Sequence, residues 1–392
     1  MTYRKFQADY LFDGYKLLDD KYVLVTGADG TVHGIVDKTE AGEDLEIYQG
    51  LLSPGFINCH CHLELSHLKG QIPEKTGLVS FVLSVINHRK ATPEEIQGAI
   101  NRAETAMLET GIVAVGDICN TADTLLQKSQ LRLAYYNFIE LAGWLPYQAE
   151  TRFDSGKALY DQFALLDSPA SQVSLNPHAP YSVSPGLWTL LRKGFPDKTI
   201  TIHNQETAAE DEFFQIKQGA LTRLYDSMKI DNSHFSPTGT TSLVHYLGLL
   251  ESAKNILLVH NTFTSAEDIV RATAFGPDLF FCLCPNANLY IENRLPDIPA
   301  MIRAGSRMVI GTDSLASNHQ LSVFGEMKTI RKHFPEIETG RILQWATSNG
   351  ARALQFENKL GDFKAGKKPG VVLLEYKGKD PLDPESRSRR IL

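Results

Sequence analysis

Leu52-Ser53-Pro54-Gly55-Phe56-Ile57-Asn58-Cys59-His60-Cys61-His62-Leu63 passes a Pro-Gly turn, runs through a short apolar stretch and ends on two histidines one residue apart. Its length and composition read as a strand, expected over Gly55–His60. Residues i and i+2 of a strand face the same side, so both imidazoles can point one way while Cys61 points the other. Neutral imidazole suits zinc and similar metals. The pair alone is a weak signal, because a lone histidine on an apolar strand is more often a hydrogen-bonded core residue.

Outward from this stretch, seven more strand-like runs alternate with amphipathic segments: Ile112–Asp117, Leu131–Phe138, Val173–His178, Thr199–His203, Ile256–His260, Leu279–Leu283 and Met308–Thr312. One helix, Pro93–Thr110, opens on the start signal Thr92-Pro93-Glu94-Glu95. This alternation predicts parallel strands joined by crossover helices. Eight repeats fit a closed barrel better than an open sheet. The expected class is α/β, a (β/α)8 TIM barrel over 53–354. Tyr22–Val25 and Thr31–Val36 flank a Gly-rich turn and predict a hairpin. Val371–Leu374 returns to strand-like sequence near the other end. Residues 1–52 and 355–392 are therefore expected to build a small β-sandwich domain together, with the polar stretch Pro381–Arg390 mobile.

In such a barrel the C-terminal strand ends converge on one mouth, where active sites sit. His60 and His62 end the first expected strand, and Glu140 follows the third. His178, His203 and His260 end the fourth, fifth and sixth, and Asp313 follows the eighth. Several separate strand ends each carrying a ligand-type residue outweigh the bland reading of any one. His60, His62, His203 and Asp313 make a plausible set of three imidazoles and one carboxylate.

The 392 residues are 43% hydrophobic, enough for a large core, and their net charge of -7 gives no general attraction to nucleic acid or anionic membranes. Five cysteines at low density argue against a disulfide framework, and all five read as small buried apolar residues. No G-x-G-x-x-G follows an early strand, so a dinucleotide is not expected. MTYRKFQADY lacks the apolar core of a signal peptide, and no stretch reaches the ~18–20 apolar residues of a membrane span. A soluble, cytoplasmic protein with a small-molecule substrate is expected.

The motifs then take on a family likeness. The stretch around His60 and His62 resembles the first-strand signature of the amidohydrolase superfamily. His203-Asn204-Gln205-Glu206 is similar to the H-x-x-E motif of its deaminase and chlorohydrolase branch, as are Gly311-Thr312-Asp313-Ser314-Leu315-Ala316-Ser317-Asn318 on the eighth strand and Asn176-Pro177-His178-Ala179-Pro180-Tyr181 on the fourth. The resemblance spans nearly the whole chain, with the four motifs in order. It implies one divalent metal per chain held by His60, His62, His203 and Asp313, with zinc the first choice and iron the second. Val173–His178 lacks the lysine that bridges two metals in binuclear members, which favours a mononuclear site. The resemblance also makes Glu206 the proton carrier, against a plain helix-start glutamate. Asp313 would further accept a proton from the attacking water. His260 would orient the attacking oxygen or the developing charge, although some members count it as a ligand. His178 would reach the substrate, against a structural role in the fourth loop.

His62-Leu63-Glu64-Leu65-Ser66-His67-Leu68-Lys69-Gly70 is more similar to aminofutalosine deaminases, of the alternative menaquinone pathway, than to adenosylhomocysteine deaminases. The expectation is deamination of 6-amino-6-deoxyfutalosine to futalosine at C6 of the adenine ring. The alternatives are deamination of adenosylhomocysteine, methylthioadenosine or another heterocycle, and chlorohydrolysis or cyclic amide hydrolysis on the same ligands. A non-enzymatic metal-binding protein is disfavoured, since the ligands and Glu206 are all kept. Glu64 is a candidate hydrogen-bond acceptor for the ribose or base, against a surface helix-start role. The long segment between the fifth and sixth strands, with Ser236–Leu247, also resembles the aminofutalosine group and is expected to fold over the mouth. Lys69, Arg152, Lys217 and Arg223 are candidates to hold the substrate's benzoate. Relatives imply a homodimer as one arrangement.

Overall fold

The computed structural model describes residues 3–166, 168–276 and 278–392. Eight strands run in parallel through its larger part: Phe56–Cys61, Ile112–Cys119, Ala134–Leu141, Ser171–Pro177, Thr199–Asn204, Asn255–His260, Asp278–Leu283 and Arg307–Ile310. Each overlaps one of the eight expected runs. The first four pair in sequence order into one sheet and the last four into another. Hydrogen bonds also link the two sheets. His203 N donates to His178 O (3.0 Å) between the fourth and fifth strands, and Thr312 N donates to His60 O (2.9 Å) beside the eighth and first.

Two boundaries differ from expectation. The third strand begins at Ala134 rather than Leu131, because Leu131 takes a left-handed turn (φ 53°) after the short helix Leu125–Lys128. The eighth ends at Ile310, so Thr312 and Asp313 lie in the loop beyond it. The helix Pro93–Glu109 starts where its signal sits, with a reciprocal capping box: Thr92 Oγ1 accepts from Glu95 N and Glu95 Oε2 accepts from Thr92 N.

Two buried clusters divide the strand residues. The larger packs Phe56, Cys61, Tyr135, Ile202 and Leu258 against the helices. The other gathers alternating residues, among them Ile57, Cys59, Phe138, Val259 and Cys282. All five cysteines are free and buried. Between Asn58 and Cys61 the pairing slips: Asn58 opposes Val115 and Cys61 opposes Asp117, three residues spanning the space of two. Such a bulge re-aims side chains, and it occurs where the histidine pair begins.

The two ends of the chain meet. Tyr22–Gly27 and Val32–Asp37 form the expected hairpin in a four-stranded sheet with Tyr3–Gln7 and Glu46–Ile47. A five-stranded sheet joins Tyr10–Phe12, Leu17–Leu18 and Leu51–Pro54 to Val371–Glu375 and Arg387–Arg390. Phe6, Leu24, Leu52, Phe363 and Leu373 share the core of these sheets. The expectation of a mobile Pro381–Arg390 is corrected. Arg387–Arg390 pairs antiparallel with Val371–Glu375, and Arg389 is held by Glu375 (2.9 Å) over the Tyr48 ring. Charged side chains on an edge strand mimic the composition of a loose tail.

Candidate active site

The strand ends bring the expected ligands together. His62 Nε2 lies 3.2 Å from His60 Nε2 and 3.3 Å from Asp313 Oδ1, and His60 Nε2 lies 3.6 Å from the same oxygen. Four ligand atoms tetrahedral about a metal at ~2.0–2.1 Å would sit about 3.4 Å apart, so this spacing suits a shared ion. His203 completes a three-histidine group with His60 and His62, while His260 joins His60 and Asp313 in another, each with ligand atoms within 4.8 Å of one another.

Neighbouring groups fix how the rings point. His203 Nδ1 donates to His178 O (2.8 Å), and His260 Nδ1 donates to Asn288 Oδ1 (2.9 Å). Each bond leaves Nε2 as the ring nitrogen free to ligate, the usual outer support of a metal-binding histidine. Asn288 Nδ2 also donates to His260 O (3.1 Å), so one side chain grips both ends of that residue. Ser317 Oγ donates to Asp313 Oδ2 (2.5 Å). Asn58 ties the first strand to the eighth through Thr312, bonding its Oγ1 (2.8 Å) and N (3.1 Å).

Electrostatics agree with a ligand set. Burial lowers His62 to about 3 and His178 to about 4, and holds His203 and His260 below the ordinary histidine value. These rings are therefore neutral, the form that binds metal. Burial opposes the Asp313 charge, but its hydrogen bond with His60 and the rings of His62 and His260 outweigh that and keep it ionised. Glu206 goes the other way, pushed well above the carboxylate range by burial and then by Asp313, Glu292 and Glu140. Its Oε1 stands 3.6 Å from His260 Nε2.

Several of these groups, His62 among them, line a cavity of about 790 Å³. Glu140, His178 and Asp313 face it together with His203, Glu206 and His260. Leu78, Phe81 and Trp144 supply apolar wall, and Trp144 stacks on Tyr225 (5.4 Å between centroids). His178 has a structural role in the fourth loop, since its ring bonds Ser182 Oγ (2.8 Å) and its carbonyl holds His203, and its ring also faces the cavity.

Glu64 is not on the surface. It is buried, its Oε2 accepts from Asn120 N, Thr121 N and Thr121 Oγ1, and its Oε1 holds Arg89 (3.2 Å). Among the four candidate cations, only Arg152 lines the cavity. Lys69 lines a different surface hollow, and Lys217 Nζ is spent on Phe235 O (2.6 Å). Arg89 and Lys229 line it and were missed, since isolated basic residues in a helical stretch carry no signal. The segment between the fifth and sixth strands does meet the cavity, but through a part other than Ser236–Leu247. Leu224–Ile230 reaches the cavity, whereas Ser242, Leu243 and Tyr246 are buried and Tyr246 Oη donates to Asn204 Oδ1 (2.6 Å). Apolar residues at helical spacing drew that segment inward.

The Amidohydrolase family matches residues 51–388, which take in every residue of this site. The chain belongs to that family. It is a hydrolytic enzyme acting on C–N bonds. This amidohydrolase is 28% identical to the adenosine deaminase of Helicobacter pylori over 336 residues, 84% of this chain and 80% of the relative. It is 27% identical to the aminodeoxyfutalosine deaminase of Deinococcus radiodurans over 320 residues, 78% of this chain and 73% of the relative. Among solved structures, aminofutalosine deaminase of Helicobacter pylori superposes with a TM-score of 0.83 at 22% identity, covering 100% of this chain and 98% of that one. The amidohydrolase fold is common to both. No described helix is long and apolar enough to cross a membrane.

Proposed function

We propose that this amidohydrolase is a mononuclear metal-dependent deaminase acting at C6 of an adenine-containing nucleoside, converting 6-amino-6-deoxyfutalosine to futalosine and ammonia. The observation that carries the reading is Glu206: a buried carboxyl with a raised proton affinity, in the same cavity as a cluster of neutral histidines and an ionised aspartate. His60, His62, His203 and Asp313 would hold the metal, and zinc is the first choice. A divalent metal bound there supplies a nucleophilic water at neutral pH.

The chain's own groups do the rest. Glu206 gives its proton to a ring nitrogen as the C6 carbon becomes tetrahedral, then takes up the proton of the C6 hydroxyl and passes it to the departing amine, and the proton held by Asp313 restores it. Asp313 accepts the proton released by the attacking water. His260, gripped by Asn288, orients the oxygen, and His178 binds the heterocycle. Glu64 acts on the substrate through the cation it holds, Arg89.

Charge in the cavity is sorted by depth, which supports the choice of substrate. The acids Glu64, Glu206 and Asp313 are buried, while Arg89, Arg152 and Lys229 are exposed. A ligand with an uncharged base inside and a carboxylate outside fits that order, and aminofutalosine carries a benzoate. The relatives named aminodeoxyfutalosine deaminase give the same direction. The reading includes closure of the eight strands into a (β/α)8 barrel over 53–354, with a β-sandwich domain from 1–52 and 355–392. It places the enzyme in the cytoplasm, in menaquinone biosynthesis, with a homodimer as one arrangement.

The test is ammonia release by metal-replete protein on aminofutalosine, adenosylhomocysteine, methylthioadenosine and adenosine. The highest kcat/KM is expected on aminofutalosine. Strong activity on another of the four with none on aminofutalosine would move the protein to that neighbouring specificity. Inactivity on all four would reject adenine deamination.

A further inference from the structure

Strand geometry alone would keep His203 and Glu206 apart. Side chains alternate along a strand, so residues i and i+3 face opposite sides. Both nevertheless line the same cavity. The residue between them that breaks the alternation is Gln205, whose backbone is left-handed (φ 43°) although it is not glycine. That region is disfavoured for a side-chain-bearing residue and persists where the surroundings over-determine it.

The surroundings of Gln205 do so. Its N donates to Glu210 Oε1 (3.0 Å), and its O accepts from Phe263 N (2.9 Å). Its Nε2 donates to Asp268 Oδ2 (2.8 Å) and Asp211 Oδ2 (2.9 Å). Both carboxylates are themselves held. Ser242 N donates to Asp211 Oδ1 (2.8 Å), and Thr241 Oγ1 donates to Asp268 Oδ1 (3.2 Å). Gln205 has no solvent exposure, and its neighbour Glu206 makes no side-chain hydrogen bond among the described residues. The aim of Glu206 is therefore set by the peptide before it.

We propose that Gln205 is the positioning residue of Glu206: its locked left-handed turn swings the Glu206 carboxyl into the cavity beside His260, and its two carboxylate partners, from the segments after the fifth and sixth strands, hold that turn. The inference rests on the proton-carrier role of Glu206. It predicts a dependence that a residue serving stability alone would not show.

The experiment compares Gln205→Ala, Gln205→Gly and Glu206→Gln, singly and combined, on whichever of the four adenine nucleosides the wild type turns over best. Metal content is measured on each protein. Gln205→Ala loses the clamps and keeps the reluctance to turn left-handed. It should lower kcat about 10–100-fold with KM and metal content near wild type, the size seen when outer support of a site is removed. Gln205→Gly loses the same clamps but adopts the turn freely, so it should recover part of that kcat. In the Glu206→Gln background, Gln205→Ala should cost nothing more, because the two act as one unit. An undiminished kcat in Gln205→Ala, or a further loss on adding Gln205→Ala to Glu206→Gln as large as the one it causes in the wild type, would overturn the positioning role. Full turnover by Glu206→Gln, or a wild type inactive on all four nucleosides, would overturn the reading beneath it.

Discussion

Replacing Glu206 with glutamine separates proton transfer from everything else the site does. The carboxyl is 5% exposed, makes no side-chain hydrogen bond among the described residues, and stands 3.6 Å from His260 Nε2. An amide of the same shape therefore leaves packing and metal ligands in place. Loss of a general acid–base costs about 10²–10⁴-fold in turnover, or about 2.7–5.4 kcal/mol at 1.36 kcal/mol per decade. The assay is ammonia release under saturating substrate, with metal content measured in parallel. Stability gives a second readout in metal-stripped protein. The folded-state proton affinity of Glu206 is raised, so its contribution is fully present below the ordinary glutamate value and is lost as pH rises toward the folded one. Glutamine does not titrate, so Tm of the variant should gain on that of the wild type as pH rises above the ordinary glutamate value. Wild-type turnover in the variant would refute the acid–base role. A Tm difference independent of pH would refute the burial argument behind the raised affinity.

Three further outcomes are expected. Purified protein should carry about one divalent metal per chain, and His62→Ala should lose it together with activity; full activity in protein shown by elemental analysis to be metal-free would reject the site. Arg89→Met should raise KM for a carboxylate-tailed nucleoside about 10–100-fold, from ~1.5–3 kcal/mol for a charged hydrogen bond, and leave methylthioadenosine unaffected; equal losses on both would remove Arg89 from substrate recognition. Lys128→Met strands Asp117, which Lys128 meets at 2.5 Å in the core, and should cost about 3–5 kcal/mol in urea unfolding. A change under 1 kcal/mol would refute the cost assigned to breaking this buried pair.

The eight strands and the meeting of the candidate ligand residues were legible because they repeat simple rules. Apolar runs of strand length alternate with capped amphipathic helices, and ligand-type residues fall at run ends. His60, His62, His203 and Asp313 come from three separate stretches and still meet around shared atoms. What the sequence hid is what acts across strands. Asn288 fixes the His260 ring from the helix Pro285–Ile291 after the seventh strand, and Arg89 reaches the cavity from the far end of Leu78–His88. Neither residue type is unusual where it stands. Arg387–Arg390 was misread for the same reason: its partners Glu375 and Tyr48 are distant in sequence, so only its charge was visible.

The buried charges explain how a mouth made of strand ends can be rigid. Loops that leave a strand carry unpaired backbone groups, and apolar packing cannot satisfy them. Here carboxylates do it. Asp117 Oδ1 accepts from Leu63 N, the residue after His62, while Lys128 neutralises its other oxygen. Glu210 takes Gln205 N, one residue before Glu206, and Glu326 takes Asn286 N just ahead of Asn288. Burial pushes Glu210 and Glu326 up to about 8, so keeping either as a carboxylate costs stability. An apolar residue of the same size would remove that cost and free the loop. Three of these acids thus each grip a backbone N–H within two residues of a group that touches the cavity or its histidines, which is where a loss of rigidity would be felt first in catalysis.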